Sequence, residues 1–377
     1  MRTEGLATHG RMIFPSLDVV RFLTATLVMI YHLFFWRNGD VPDESHPVGQ
    51  FWRFGWVGVE IFFTLSGLVI ALSAKHSTPR KFLVDRIVRL APTIWICATI
   101  TLLVALRFGH ADLYRLLNDY LWTIILRPAG NHIDIVYWTL TVEIAFYALV
   151  FCVLATGQFR RLVALMTFIG VVSTAYDVVL ALSPYLRGPI VDLVVITSKF
   201  HASRLLLLRH GCFFALGVLV WSLKDECRPR YCLALIAVCL AGGTMEVWHQ
   251  ARVQIDQVPV LHHSAALPVL AWLVGISAIL ISRMFKATEL QSGISWVGAL
   301  RFLGLLTFPL YLIHNNVGVQ LENYWNQPWA GLVSVIAVTS LAIVVTLIEP
   351  PSARSLKHAL SARGKTASVG TLPARSG

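Results

Sequence analysis

The sequence predicts an all-α polytopic membrane protein, and three observations carry that prediction. Of its 377 residues, 56% are hydrophobic and 14% charged, against roughly 45–50% and 25% in soluble domains. The mean hydropathy is +0.68. The apolar residues also gather into runs of the length a bilayer demands, about 20 residues each. This composition excludes a soluble enzyme of this size, a disordered chain and a nucleic-acid-binding protein. The 31 Lys+Arg outnumber the 20 Asp+Glu, an excess that in membrane proteins belongs to cytoplasmic loops.

Ten runs qualify as spans: 15–36, 54–73, 91–107, 137–156, 161–182, 205–222, 231–248, 265–282, 299–318 and 329–348. The first opens after Pro15 and closes at Trp36, an amphipathic ring of the kind that anchors at headgroups. The third follows a basic stretch at 80–90. Between the third and fourth, LYRLLNDYLWTIILR (113–127) is apolar but short and interrupted by Arg115, Asn118 and Asp119, so it is expected to form an extra interfacial or re-entrant helix. Arg160 and Arg161 mark the start of the fifth span. Residues 189–200 are bracketed by Asp192 and Lys199 and are expected as loop. Residues 1–14 form an N-terminal segment, 15–348 a single membrane domain, and 349–377, rich in Ser, Ala, Gly, Lys and Arg, a flexible basic tail. With both termini cytoplasmic, twenty basic residues fall on inner segments and ten on outer ones, the bias the positive-inside rule asks for. All six Cys lie in spans or in the inner loop at Cys227. No disulfide framework is implied, and no pair has zinc-site spacing, so no metal is expected.

Charged groups inside spans cost about 2.5–3.5 kcal/mol at the bilayer centre and need a reason. Arg21 and His32 share the first span. Eleven residues at about 100° each bring them within roughly 20° of one face, about 16 Å apart along the axis. Spacing alone fits equally two satisfied polar residues near helix ends. Glu60 (GWVGVEIFFTLSG), Glu143 (YWTLTVEIAFY) and His314 (FPLYLIHNN) join His32 at what the topology makes a common depth near the outer face, which suggests a polar cavity opening outward. For Asp177 and His210 a satisfied structural role is the better reading. At the inner side Arg86 and Arg89, at i and i+3, share a helix face. Composition alone reads them as a positive-inside loop, while paired guanidinium forks are also what phosphate oxygens require.

These segments occur in order as LDVVRFLTATLVMIYH (17–32), GVEIFFTLSGLVI (58–70), RKFLVDRIVRLAPTIW (80–95), YWTLTVEIAFY (137–147) and FPLYLIHN (308–315). Together they closely resemble the acyltransferase-3 family of integral membrane acyltransferases, whose members modify glycans, Nod factors and macrolides. The resemblance implies a multi-pass protein of a bacterial inner membrane with acyl-CoA, most often acetyl-CoA, as co-substrate. It makes His32 the catalytic residue, paired with Arg21, and gives Arg86 and Arg89 the handling of the acyl-CoA. The family's Ser-x-x-x-Glu element falls on Thr139 and Glu143. Thr in place of Ser is a departure, so Thr139 is read as a hydrogen-bond partner rather than an acyl carrier. Trp138 matches the Trp usually found before that element, and Glu60 stands where the family often has an acid.

The expected reaction is transfer of an acyl group from acyl-CoA to a hydroxyl of a carbohydrate-containing acceptor. Arg86 and Arg89 hold CoA phosphates, Arg21 lines the pantetheine path, His32 is the general base and Glu143 orients it. Glu60, Trp138, Thr139 and His314 line the substrate pocket. The expected partners are acyl-CoA, a glycan or other hydroxylated acceptor and the lipid bilayer, with oligomeric state left open. Two other classes stay open on the residues alone. A proton-coupled secondary transporter would also use intramembrane His and Glu, and a non-catalytic partner in glycan assembly would keep the fold without the chemistry. The transporter gives no reason for an Arg pair at i, i+3.

Overall fold

The computed structural model describes residues 12–36, 52–109, 112–223, 229–257, 264–284, 288–289, 295–325, 327 and 329–368. Fourteen α-helices account for nearly all of them. Helix α1 is Pro15–Phe34, α2 Gly58–Ala74, α3 Pro79–Phe108, α4 Leu113–Ile124, α5 Trp138–Ala155, α6 Leu162–Leu182 and α7 Pro189–Ser198. A single turn, α8 at Ala202–Leu205, leads to α9 Gly211–Ser222, α10 Pro229–Gln257, α11 Ala266–Met284, α12 Ser295–Ile313, α13 Asn316–Trp325 and α14 Ala330–Ser368. Nine helical segments among the described residues are long and apolar enough to cross a membrane. The protein is thus an all-α, multi-pass membrane protein.

Local chemistry sets several of these helix starts. Pro15 occupies the first turn of α1, where its missing N–H costs nothing. Thr78 Oγ1 accepts from Lys81 N at 3.3 Å, with Pro79 following, so α3 begins twelve residues before the expected span. Thirty residues make about 45 Å of helix, and Arg86 and Arg89 therefore ride on the same rigid rod as the apolar segment. Asp112 caps α4 through Arg115 N at 3.1 Å. Helix α4 is short, as expected, and turns Leu113, Tyr114, Leu117 and Leu121 outward. It is tied to α3 by Trp95 Nε1 donating to the Ile124 carbonyl at 3.0 Å.

The structure departs from the sequence reading in four places. The expected sixth span, 205–222, is discontinuous. Leu207 and His210 adopt positive φ of 56° and 87°, α8 ends at Leu205, and helix resumes only at Gly211–Ser222, about 18 Å long. Every residue of α9 is buried, and in the break Leu207, Arg209 and His210 are buried too while Leu206 is exposed, so the polar part of the break is packed in protein, where irregular backbone is tolerated at membrane depth. Ser173 Oγ accepts from Cys212 N at 3.0 Å there. Second, 189–198 is a helix, not a loop. Third, α14 continues through 349–368, so most of the expected flexible tail is helical, and 369–377 lie outside the described residues. Fourth, Cys232 is disulfide-bonded, which its place in the sequence did not suggest.

A two-residue antiparallel pair, β1 Met12–Ile13 with β2 Thr288–Glu289, has Met12 opposite Glu289. It brings the segment before α1 to the linker between α11 and α12. An even number of passages must separate two segments on one side. Seven full-length spans lie between them, so the broken segment from α7 to α9 supplies the eighth.

Helix α9 runs beside α2 in the same direction: Phe214 packs on Phe63 at 4.9 Å between ring centroids, and Lys75 lies 5.8 Å from the Trp221 ring. The two touch backbone to backbone. A Cβ on Gly217 would lie 2.6 Å from Leu68 N and 2.9 Å from Gly67 Cα. Helix α1 crosses α2 antiparallel and also packs on α12.

Candidate active site

At the Arg21 end of α1, a cleft of about 510 Å³ is lined by Lys81, Asp85, Arg86, Arg89, Arg301 and Glu349 with Gly304 and Phe308. Arg301 is committed, since its Nη1 donates to both Asp18 carboxylate oxygens at 3.1 and 3.2 Å. Neither Arg86 nor Arg89 has a carboxylate at ion-pair distance among the described residues. The Arg86 guanidinium sits 5.6 Å from the Phe82 ring and 5.9 Å from the Tyr147 ring. Its Nε and Nη1 are buried without a partner. Aromatic rings flank the fork while two of its nitrogens keep unspent donors, a condition under which arginine can recognise phosphate.

The cleft leads inward. Arg89, Gly304 and Phe308 also line an internal cavity of about 70 Å³, with Arg21, Ser66, Glu143, Tyr147, Thr139 and Tyr311. Glu143 Oε1 accepts from Ser66 Oγ at 2.6 Å and from Tyr147 Oη at 2.5 Å. These partners belong to the Arg21 end, so the expected orientation of His32 by Glu143 is not what the structure builds. Thr139 Oγ1 lies 2.9 Å from the Val136 carbonyl, which only accepts, so the Thr139 proton is used there. The Tyr311 hydroxyl, 3.0 Å away, must then donate to Thr139 Oγ1. This fits a hydrogen-bond role and leaves no free Thr139 proton for nucleophilic use.

His32 and His314 meet beyond Tyr311. His32 Nδ1 is 3.0 Å from the Val28 carbonyl, so it carries the proton and the Nε2 lone pair is free. His314 Nε2 stands 3.1 Å from His32 Nδ1, with the rings 5.0 Å apart. His314 is fully buried, and its Nδ1 lies 2.8 Å from the Tyr311 carbonyl. Asp134 fixes the turn after His314: it accepts from Asn315 Nδ2 at 2.9 Å and Asn316 N at 2.7 Å, and from Val136 N at 3.2 Å on its own side. The approach to α5 and the end of α12 are thereby clamped together.

The expected common depth of four polar groups is therefore replaced by two levels. His32 and His314 pair at one end and Glu143 joins Arg21 and Arg89 at the other. Glu60 is 4% exposed and its Oε2 has no partner. Gly58, just before it, packs on Thr24 and Val28, which sets Glu60 between the two levels. Trp138 lies against Phe63 and His210, with Arg204 over its ring at 4.6 Å.

Sequence reasoning missed Ser66, Tyr147, Tyr311 and Asp134. The hydroxyls carry no signal at this hydropathy, and Asp134 reads as an ordinary loop acid. It also missed a second buried cluster at the break before α9, where Arg209 pairs with Glu246, Gln250 Nε2 donates to Glu246 at 3.1 Å, and Asp177 accepts from Ser173 at 3.3 Å. The signal was present for Glu246, a lone acid within an apolar run.

Residues 14–348 match the model of the acyltransferase domain family, acyltransferase-3. Exopolysaccharide production protein ExoZ of Rhizobium meliloti (strain 1021) is 29% identical over 113 residues, covering 28% of this chain and 36% of the relative. ORF330 of Acidianus two-tailed virus, provisionally named an acetyltransferase, is 29% identical over 133 residues, 34% of this chain and 37% of the relative. The chain thus spans little more than a third of the length of either relative. No solved structure matches. The family match covers the whole helical assembly from α1 into α14, including Arg21, Arg86, Arg89 and the histidine pair, and on that ground the chain belongs to the acyltransferase-3 family of multi-pass membrane proteins.

Proposed function

We propose that the protein is an O-acyltransferase moving an acyl group, acetyl first among those to test, from acyl-CoA to a hydroxyl of a carbohydrate-containing acceptor. One observation carries this reading: a cationic cleft and an internal polar cavity share Arg89, Gly304 and Phe308 and lead from one end of α1 to Tyr311, beside the histidine pair. Arg86 and Arg89 would take CoA phosphates and Arg21 would flank the thiol arm. The positive-inside bias supports a cytoplasmic position for this end and an outer one for His32, and the membrane would be a bacterial inner membrane, as the family resemblance implies. The name of the Rhizobium relative, an exopolysaccharide production protein, supports a glycan acceptor, and that of the viral relative supports acetyl.

In the direct reaction, His32 Nε2 takes the acceptor hydroxyl proton as that oxygen bonds to the thioester carbonyl carbon. The carbon–sulfur bond then breaks, and the departing thiolate receives the proton from the imidazolium. Positioned base catalysis of this kind contributes about 10²–10⁴-fold. A second reading, a proton-coupled secondary transporter, draws on the broken helix before α9 and its buried Arg209–Glu246 pair, features that transporters place at substrate sites.

The test uses protein purified in detergent with radiolabelled acetyl-CoA, wild type beside His32→Ala and Arg86→Ala/Arg89→Ala. Binding that disappears with the Arg pair, and transfer or hydrolysis that disappears with His32, are the expected results. Failure of the wild type to bind acetyl-CoA or any other short acyl-CoA would refute the donor assignment and favour transport.

A further inference from the structure

We propose that His314 is a positioning residue that sets the tautomer of His32 and stabilises its protonated form, an inference that rests on the acyltransferase reading. The argument follows from which atoms can donate. A backbone carbonyl only accepts. His314 Nδ1, 2.8 Å from the Tyr311 carbonyl, therefore carries that ring's proton, and its Nε2 is a bare acceptor. His32 Nδ1 faces the Val28 carbonyl at 3.0 Å and His314 Nε2 at 3.1 Å. One N–H shared between two acceptors satisfies both contacts. The whole chain then has a single consistent assignment: His32 Nδ1–H donates to His314, His314 Nδ1–H donates to Tyr311, and the basic lone pair of His32 sits on Nε2.

The same order serves the charged state. When His32 Nε2 takes the acceptor proton, the charge spreads to Nδ1–H, which already points at His314 Nε2 and Val28 O. No group has to turn. In hydrolase triads a carboxylate does this work, and the amide in its place leaves the wrong tautomer and costs about 10⁴-fold. A neutral imidazole holds the tautomer without adding a further buried carboxylate beside Asp134, where an unpaired charge is costly. The rest of the structure keeps His314 in place. Its side chain is fully buried, the Tyr311 ring packs 5.6 Å from it, and Asp134 holds the two residues that follow. Tyr311 also bonds Thr139, so the wall of the acyl cavity and the prop of the base are one residue.

The test compares His314→Gln with His314→Leu. A glutamine can accept from His32 through its carbonyl and donate to Tyr311 through its amide, while leucine fills space and does neither. His314→Leu should lower kcat for acetyl transfer by about 10²-fold or more, within the range for general-base catalysis, with KM for acetyl-CoA unchanged. His314→Gln should stay within about tenfold of wild type, a loss of about 1.4 kcal/mol. Full activity in His314→Leu, or equal losses in both variants with melting temperatures intact, would overturn the proposal. A second measurement does not depend on turnover. In ¹⁵N-histidine-labelled protein, with His32 assigned by its absence in His32→Gln, wild type should show the His32 proton on Nδ1 and His314→Leu a shift towards Nε2. A wild-type proton on Nε2 overturns the inference outright. A proton on Nδ1 in a protein that transfers no acyl group would uphold the hydrogen-bond order and refute the acyltransferase reading instead.

Discussion

Replacing Gly217 by alanine tests the packing that underlies the site. On α9 this glycine faces the α2 backbone at Thr64, Gly67 and Leu68. A methyl there would lie 2.6 Å from Leu68 N, whereas ordinary contact begins at 3.4 Å. The helices must part by 0.8 Å at that atom, and by more at the Thr64 carbonyl, which is nearer. Neither obstacle is a flexible side-chain end, so no rotamer change relieves the clash. Overpacking of this kind costs about 1–3 kcal/mol, against a gain of roughly 0.5–1 kcal/mol from removing a helical glycine. Gly298 on α12 supplies the control, because nothing lies within 4 Å of the Cβ it would acquire. Gly217→Ala should lower the melting temperature in detergent by several degrees, and Gly298→Ala should leave it equal or slightly raised. Because α2 also carries Ser66, which donates to Glu143 at 2.6 Å, Gly217→Ala should also reduce acetyl transfer more than Gly298→Ala. If Gly217→Ala stabilises the protein as Gly298→Ala does, the close approach of α2 and α9 is wrong.

Three further outcomes follow from individual contacts. Arg86→Lys keeps the charge but loses the stacked fork, and charge-assisted hydrogen bonds are worth about 1.5–3 kcal/mol; calorimetry should show CoA affinity lowered about 10–150-fold, with wild-type affinity counting against a phosphate role. Thr139→Val removes the hydroxyl that bridges Val136 and Tyr311, and acetyl transfer should fall by no more than about tenfold, or 1.4 kcal/mol; total loss would revive Thr139 as an acyl carrier. Arg301→Met should destabilise more than Asp18→Asn, because the first strands a carboxylate that is 5% exposed and the second leaves a guanidinium that is 24% exposed and can be hydrated. Breaking a buried pair costs about 3–5 kcal/mol, and the exposure of Arg301 should bring Asp18→Asn well below that in thermal unfolding.

The spans were legible because lipid imposes one requirement on them all, an apolar run of fixed length, and that requirement is written residue by residue. What broke the pattern was context. RLLLLRHGCFFALGVLVWS reads as one span, yet Arg209 and His210 sit where the helix stops, and what makes the stop tolerable is Glu246 on α10 and Ser173 on α6, far away in sequence. Hydropathy sees a charge but not its partner. The same blindness hides Arg301, a charge at the start of the ninth expected span whose partner is Asp18 on α1.

For the site, the one-face spacing of Arg21 and His32 was readable because both lie on one helix, where geometry follows from counting. Depth across different helices was not readable, since it depends on how far each rod slides past its neighbour. Glu143 lies four residues beyond Thr139, and Thr139 reaches Tyr311. One helical turn of about 5.4 Å therefore separates the level of the histidines' support from the level of Ser66 and Tyr147. An acid assigned to the base from its position in sequence falls one turn short of it, and the place it was meant to fill is taken by His314, a residue the sequence placed near His32 only as a lining of the substrate pocket. In a bundle where every polar contact must be made within protein, the partner of a catalytic group is whichever side chain the helix slide delivers, and a neutral ring that can accept on one nitrogen and donate on the other meets that need at least electrostatic cost.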